Sequence, residues 1–384
     1  MKEFIITLRD GIVSLRLTVA LLILGMILVF AATLDQTNLG IWGIQQKWFR
    51  TFVVMQDLRG LVIPVFPGGY LLGGLLLINL IGAHAYRFKF VWRKTGIVLT
   101  HLGLILLLVG ELLSGLWQED YMLRLNAGET KNYAESVHFN ELAIIDATDP
   151  KYDDVVSIPE RLLERHVKVQ TPKLPFQVEA KAYYPNSTLQ IQREAAPASL
   201  ATTGVGLRVA AAPQPVTYQP DEANLPSAYV ELTASGSSIG TFLVSTGLGA
   251  SQVFQYAGRT WNLSLRSKRE YRPFTLTLLE FTHDRYIGTE IPKNFASRLR
   301  LTESANNEER VVRISMNKPL RYSGLTFYQA GFENNDRTSI LQVVRNPSWQ
   351  IPYVACALIG AGLLIQFGIH LTGFLTKRRV LASA

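Results

Sequence analysis

The chain has a single cysteine, Cys356, so it can form no intramolecular disulfide. It contains neither C-x-x-C nor C-x-x-C-H, which excludes a thiol oxidoreductase and a c-type cytochrome. Charge is also sparse. Only 18% of the 384 residues are charged, and the net +8 is dispersed, with no Lys/Arg tract and no zinc-finger spacing, so no nucleic-acid partner is expected. There are six histidines, which leaves few places for imidazole chemistry. No catalytic residue can be assigned, and no internal repeat is visible.

What the chain does have is long apolar runs. Residues 17–34, 60–86, 95–117 and the stretch between Arg345 and Lys377 each supply the ~20 mostly apolar residues that a helix needs to cross ~30 Å of hydrocarbon. The first run is too long for a secretory signal, lacks a clear cleavage site and is followed by two more spans, so it is expected to stay attached. Short cytoplasmic loops are enriched in Lys and Arg. The N-terminal arm carries Lys2, Arg9 and Arg16, the connector between runs two and three carries Arg87, Lys89, Arg93 and Lys94, and the tail opens with Lys377, Arg378 and Arg379. Lys47, Arg50 and Arg59 oppose them in the other loop, but three basic clusters outweigh one. Both termini are therefore expected in the cytoplasm.

The polar segment between runs three and four alternates apolar and polar residues over strand-length stretches at 176–182, 229–233, 261–265, 274–281, 310–314 and 340–344. A short helix is expected near 159–166, and exposed loops at 194–201 and 213–227. The predicted fold class is a membrane α-helical protein, with four transmembrane helices in a 3+1 arrangement and a large extracytoplasmic all-β domain, either a β-sandwich or a pair of β-units. The expected divisions are a cytoplasmic arm at 1–16, three spans with their loops at 17–117, the β-rich domain at 118–346, the fourth span at 347–376 and a cytoplasmic tail at 377–384. Gly68, Gly69, Gly73 and Gly74 in run two predict close helix packing.

Three histidines fall in or beside the spans. His101 lies six residues into run three and His370 six or seven from the end of run four, so both are expected at one depth, roughly 10 Å from the inner ends. His84 is expected to sit shallower on the same side, and a headgroup position beside Arg87 is the plainer reading for it. An ionisable group in hydrocarbon is costly and usually faces a protein interior or cavity. A neutral imidazole there is a good ligand for iron, haem iron included, although many membrane histidines merely bond a neighbouring helix. One His per helix does not make a self-contained b-type cytochrome. His138, His166 and His283 are isolated from one another and read as solvated surface residues. Phe327 and Tyr328 read as strand core, and Glu111 as an interfacial carboxylate.

His101-Leu102-Gly103 in the third span, the 3+1 layout, Gly128 and Glu129 just beyond that span, Ser297 to Arg300, and Asn317-Lys318-Pro319-Leu320-Arg321-Tyr322-Ser323-Gly324-Leu325-Thr326-Phe327-Tyr328-Gln329 together resemble the ResB (CcsB) family of System II cytochrome c maturation. The resemblance covers most of the chain except about 150–260. It implies a subunit of the cell inner (cytoplasmic) membrane that works with a ResC (CcsA)-type partner. Together they would export haem and attach it through thioethers to the C-x-x-C-H cysteines of apocytochrome c. On that reading the chain is a non-autonomous part of a cytochrome c haem lyase, its cofactor or cargo is haem b, and a thioredoxin-like thiol reductant joins the partners. The resemblance makes His101 an axial ligand paired with a partner histidine, and leaves His370 and His84 as supporting candidates. The partner's tryptophan-rich segment ends in Trp-Asp, and none of the six tryptophans here precedes Asp, so a separate partner chain is expected. The alternative is a membrane-anchored extracytoplasmic sensor or a scaffold without haem chemistry, although the tail from Lys377 to Ala384 is too short for an output domain. A transporter would also use four spans, but the repeated, broken helices usual in transporters are not apparent.

Overall fold

The computed structural model describes residues 2–58, 60–86, 91–150, 152–191, 199–218, 223–289 and 291–382. The chain forms two compact units, Met1–Glu119 with Arg345–Ala384, and Asp120–Val344. Arg87 and Lys89 of the basic connector, Arg59, and parts of both expected loops (192–198 and 219–222) lie outside the described residues.

The first unit contains α1 (Lys2–Ile12), α2 (Leu15–Ile44), a hairpin of β1 (Val53–Leu58) and β2 (Leu61–Pro67), α3 (Gly69–Tyr86), α4 (Thr95–Trp117) and a final helix at Ile351–Ala382. Among the described residues, four helical stretches are long and apolar enough to span a membrane: Leu15–Phe49, Gly69–Tyr86, Trp92–Trp117 and Ile351–Arg378. The protein is a multi-pass membrane protein. Run two is not one helix, however. Pro64 and Pro67 each lack an N–H and clash with a preceding helical turn, so 61–67 becomes a strand and the helix starts only at Gly69.

Chain breaks in this unit are satisfied internally, as they must be where water is scarce. Between α1 and α2, Ser14 caps Leu17 N–H, and the carbonyls freed at Ile12 and Ser14 accept from Asn79 Nδ2 at 2.6 and 3.1 Å. Thr18 donates to Asn79 Oδ1 at 2.6 Å, which leaves this polar residue buried in α3 with all its groups used. The tightest helix pair is α4 with the last helix. Gly96, Gly103 and Gly110 form a seam at heptad spacing, and Gly96 and Gly362 back onto each other. Among the described residues nothing lies within 4 Å of the Cβ positions of Gly73 and Gly74, so the close packing expected there is not made within this chain. Gly68 and Gly69 instead press on Thr51 and Phe49 of the preceding loop.

The second unit is all-β apart from α5 (Glu160–Glu164), so the last helix is α6. Its strands are β3 (Glu119–Asn126), β4 (Thr130–Asp146), β5 (Asp154–Pro159), β6 (Gln177–Tyr184), β7 (Ser187–Ile191), β8 (Val209–Pro213), β9 (Ser227–Ala234), β10 (Ser237–Ser245) and β11 (Gln252–Tyr256). They continue with β12 (Arg259–Arg285), β13 (Pro292–Glu303), β14 (Glu308–Ser315), β15 (Leu320–Tyr322), β16 (Leu325–Glu333) and β17 (Thr338–Arg345). One sheet runs β14-β13-β12-β4-β3-β17-β16-β15, with β11 on β12 and β5 on β4, and a smaller one runs β10-β9-β6.

Two cores result because β12 serves both. Its first half buries Trp261, Leu263 and Leu265 against Phe176, Val178, Val230 and Val244. Its second half buries Phe274, Leu276 and Leu278 against Leu125, Leu299, Leu301 and Leu341. Alternate residues of a strand face one side, so each half supplies an apolar stripe, and each fully buried Leu contributes about 1.5–3 kcal/mol. The charged run Arg266-Ser267-Lys268-Arg269-Glu270-Tyr271-Arg272 separates the halves, and the register against β4 slips there, between Ser267 and Arg269 and again between Tyr271 and Leu276. All six strands expected from alternation lie in this unit, and α5 falls within the expected 159–166.

Candidate functional site

The structure joins two of the three membrane histidines. α3 and α4 run antiparallel, which carries His84 near the end of α3 to the level of His101 near the start of α4, and their ring centroids are 4.6 Å apart at 46°. Each Nδ1 faces the carbonyl four residues earlier, His84 on Leu80 O at 3.1 Å and His101 on Ile97 O at 2.7 Å. A carbonyl only accepts, so each Nδ1 carries the proton and each Nε2 keeps its lone pair, which is the tautomer that a metal ligand requires. Both rings are half-buried. Gly103, two residues past His101, holds α4 against Ile359 and Ala355 on the opposite side, so the seam with α6 turns His101 toward α3.

His370 does not share the depth of His101. Gln366 packs on Gly96 and donates to Arg93 O at 3.3 Å, so His370, one turn further along α6, lies beyond the start of α4, roughly 13 Å along the axis from His101. The reason is that α6 continues past Lys377 to Ala382, whereas the sequence alone suggested that the helix ended there. His370 Nε2 already accepts from Gln366 at 3.0 Å. It lines an open groove of about 1070 Å³ with Arg93, Gln366 and Lys377. His84, expected to sit shallower than the other two, is the histidine that reaches His101.

In the β-unit, His138 and His166 are exposed as expected, and His166 Nδ1 donates to Ala180 O at 2.7 Å. His283 is not a solvated residue. Its side chain is 3% exposed, its Nδ1 donates to Asp336 Oδ1 at 2.9 Å, and Phe332 lies 4.3 Å from it between ring centroids. Sequence reading missed this because Asp336 comes from a distant turn, Asn334-Asn335-Asp336, in which all three residues have positive φ. That Asn-rich turn was the only available signal. Among the described residues no three His, Cys, Asp or Glu side chains converge as a metal cage.

The remaining motif residues build the sheet. Phe327 is buried in the second core, and Tyr328 is 40% exposed. Ser297 and Ser339, both 0% exposed, close a ring with Gln329: Ser297 donates to Gln329 Oε1 at 2.6 Å, Ser339 meets Ser297 at 2.6 Å, and Gln329 Nε2 donates to Ser339 at 3.1 Å. Gly128 takes φ +83° at the β3–β4 turn, a region that favours glycine. There Glu129 accepts from Asn126 N at 2.9 Å and pairs with Lys131 at 2.8 Å. Burial alone would raise the Glu129 pKa, but the bonds from Asn126 and Lys131 outweigh it and hold the carboxyl below its ordinary value. Glu111 is exposed on α4.

Residues 84–340, about two thirds of the chain, match the ResB-like family. The chain is 30% identical over 92 residues to Protein NrfI of Wolinella succinogenes, which is 24% of this chain and 10% of that protein. It is 32% identical over 105 residues to Cytochrome c biogenesis protein CcsB of Prochlorococcus marinus, 27% of this chain and 24% of that one. The aligned segments are thus a minor part of each relative's length.

Proposed function

The chain belongs to the ResB-like family, and from that premise we propose that it serves cytochrome c biogenesis as a membrane subunit that receives haem and, with a ResC (CcsA)-type partner, delivers it for covalent attachment to the C-x-x-C-H motif of apocytochrome c. The observation that carries this reading is His101 on α4, packed on His84 of α3, with its Nδ1 tied to backbone so that its Nε2 can serve as a ligand. The two rings touch, so a porphyrin cannot pass between them, and they cannot serve as opposite axial ligands of one iron as arranged. His101 would hold the iron, His84 packs on its ring and fixes its plane, and the partner would supply a further ligand. Haem b is the cargo. The basic groove of Arg93, His370 and Lys377 suits the carboxylates of haem on the same side of the membrane.

The distribution of Lys and Arg supports cytoplasmic termini and an extracytoplasmic β-unit of about 118–346, and family membership supports a location in the cell inner (cytoplasmic) membrane. The β-unit is then the part that meets apocytochrome c and a thioredoxin-like reductant.

The test is co-purification with the partner. The complex should contain haem, and His101→Ala should lower occupancy or change the axial-ligand spectrum while both subunits still co-purify. His84→Ala should broaden or shift the same bands with smaller loss. Wild-type occupancy with an unchanged spectrum in His101→Ala would refute the assigned role. Normal haem-stained c-type cytochromes in a deletion strain without redundant copies would favour the sensor or scaffold alternative.

A further inference from the structure

One carboxylate sits among the spans with nothing to hold it. Across residues 17–34, 69–86, 95–117 and 351–376, Glu111 is the only Asp, Glu, Lys or Arg. It lies six residues, about 9 Å, from the end of α4 at Trp117. Centred on ~30 Å of hydrocarbon, the span Trp92–Trp117 keeps it about 4–5 Å inside the apolar layer. It is exposed, and among the described residues no hydrogen bond or ion pair reaches it. A charge at such a depth is costly and is normally turned toward protein or a cavity.

The helix packing shows which way Glu111 is turned. His101 meets α3, and Gly103 and Gly110 meet α6. At about 100° per residue Glu111 stands about 80° from His101 on one side and about 80° from Gly103 on the other, so it looks into the crevice between α3 and α6. The antiparallel register that sets His84 against His101 and Tyr70 against Gly115 puts Gly74 level with Glu111. Nothing described lies within 4 Å of the Cβ positions of Gly73 and Gly74, so α3 leaves room there for a close helix. Arg50 Nε is 3.9 Å from the Cβ position of Gly115, one turn along α4, yet it does not pair with Glu111.

The occupant follows from charge. Acyl chains offer no donor to a carboxylate. A second copy of this chain offers none either, because its four apolar runs hold no Lys or Arg. A different membrane chain must bring the cation. We propose that the crevice between α3 and α6 receives a transmembrane helix of the partner subunit, and that this helix carries a Lys or Arg to Glu111. The inference rests on the partner reading above and names the surface on which the partner docks.

The test uses the full-length chain and the ResC (CcsA)-type subunit, each purified in detergent, with affinity read by thermophoresis. Glu111→Gln should weaken binding about 5–30-fold, the range of an interhelical polar contact in a membrane, and Glu111→Lys should abolish it. Both should keep the wild-type circular-dichroism melt, since nothing described in the chain pairs with this side chain. Leu102→Gln, about 180° away on α4, should bind as wild type. A spin label at Leu104→Cys in a Cys356→Ser background, on the flank of Glu111, should lose collisions with dissolved oxygen when the partner is added to proteoliposomes. Unchanged affinity in both Glu111 variants, or a label equally exposed to oxygen with and without the partner, overturns the proposal. A melt lowered alike by Glu111→Gln and Arg50→Gln, with no further loss in the double variant, assigns the carboxylate to Arg50 and also overturns it. No binding by the wild-type chain would sink the partner reading itself, and this proposal with it.

Discussion

Replacing Gln329 by Leu separates a structural from a ligand-binding role for the Phe-Tyr-Gln motif. In the native sheet Ser297, Ser339 and Gln329 satisfy one another, and both serines are 0% exposed. Leucine removes the acceptor of the Ser297 hydroxyl and the donor to Ser339, while the bond between the two serines persists. One buried hydroxyl hydrogen is then stranded, and leaving such a group unpaired costs about 1–3 kcal/mol. For a unit of this size each kcal/mol lowers Tm by about 2–4 °C, so the melt should fall by about 2–12 °C. The triple variant Ser297→Ala/Gln329→Leu/Ser339→Ala removes donors and acceptors together and should return to within about 1 kcal/mol of wild type. The assay is thermal unfolding of the full chain in detergent, followed by circular dichroism at strand wavelengths. An unshifted melt for Gln329→Leu, or a triple variant as unstable as the sum of its parts, would refute this account. A stable Gln329→Leu with altered haem binding would instead make Gln329 a contact for ligand.

Glu141 is buried beside Arg266, with Oε1 to Nε at 3.0 Å, so Glu141→Ala should strand the guanidinium and destabilise the β-unit by about 3–5 kcal/mol, measured by urea unfolding. The Glu129 carboxyl has a folded pKa below its unfolded one, so its contribution is present above the ordinary carboxylate range and is lost as pH falls through the folded value. The Tm gap between wild type and Glu129→Gln should accordingly be constant above about pH 5 and shrink below about pH 4. At the helix seam, a Cβ on Gly103 would meet Ile359 at 2.5 Å and Ala355 O at 2.8 Å, so Gly103→Val should part α4 from α6 and lower the melt of the membrane unit. Gly73→Ala, which meets nothing within 4 Å, should leave that melt unchanged or raise it by up to about 1 kcal/mol through helix propensity.

Much of the architecture was legible because it rests on period and length. Four apolar stretches and two-residue alternation announce spans and strands, and the stretches expected at 176–182, 261–265 and 274–281 fall in strands, the first in the smaller sheet and the other two in β12 of the larger one. The error in run two had a local cause that hydropathy cannot see, since Pro64 and Pro67 are apolar yet forbid helix. Contacts between distant segments were not legible. The pairing of His84 with His101 depends on how tightly α3 returns onto α4, and the burial of His283 depends on a turn more than fifty residues away bringing up Asp336. Residues singled out by family resemblance divided along the same line. Ser297, Gln329, Gly128 and Glu129 have a structural explanation in turn and sheet chemistry, whereas among the described residues His101 has only its backbone bond and its contact with the His84 ring.

That contrast bears on why the membrane unit offers an imidazole at all. A histidine needed only for packing could be replaced by an apolar side chain, which would spare the cost of a polar group in hydrocarbon. Two adjacent histidines double that cost, and nothing in their backbone bonds requires it, because Leu80 O and Ile97 O are helical carbonyls that already accept within the helix. On the proposed reading, the Nε2 of His101 has a further ligand. His101 would then hold the iron together with a histidine of the partner, and haem would be retained only while both chains are engaged.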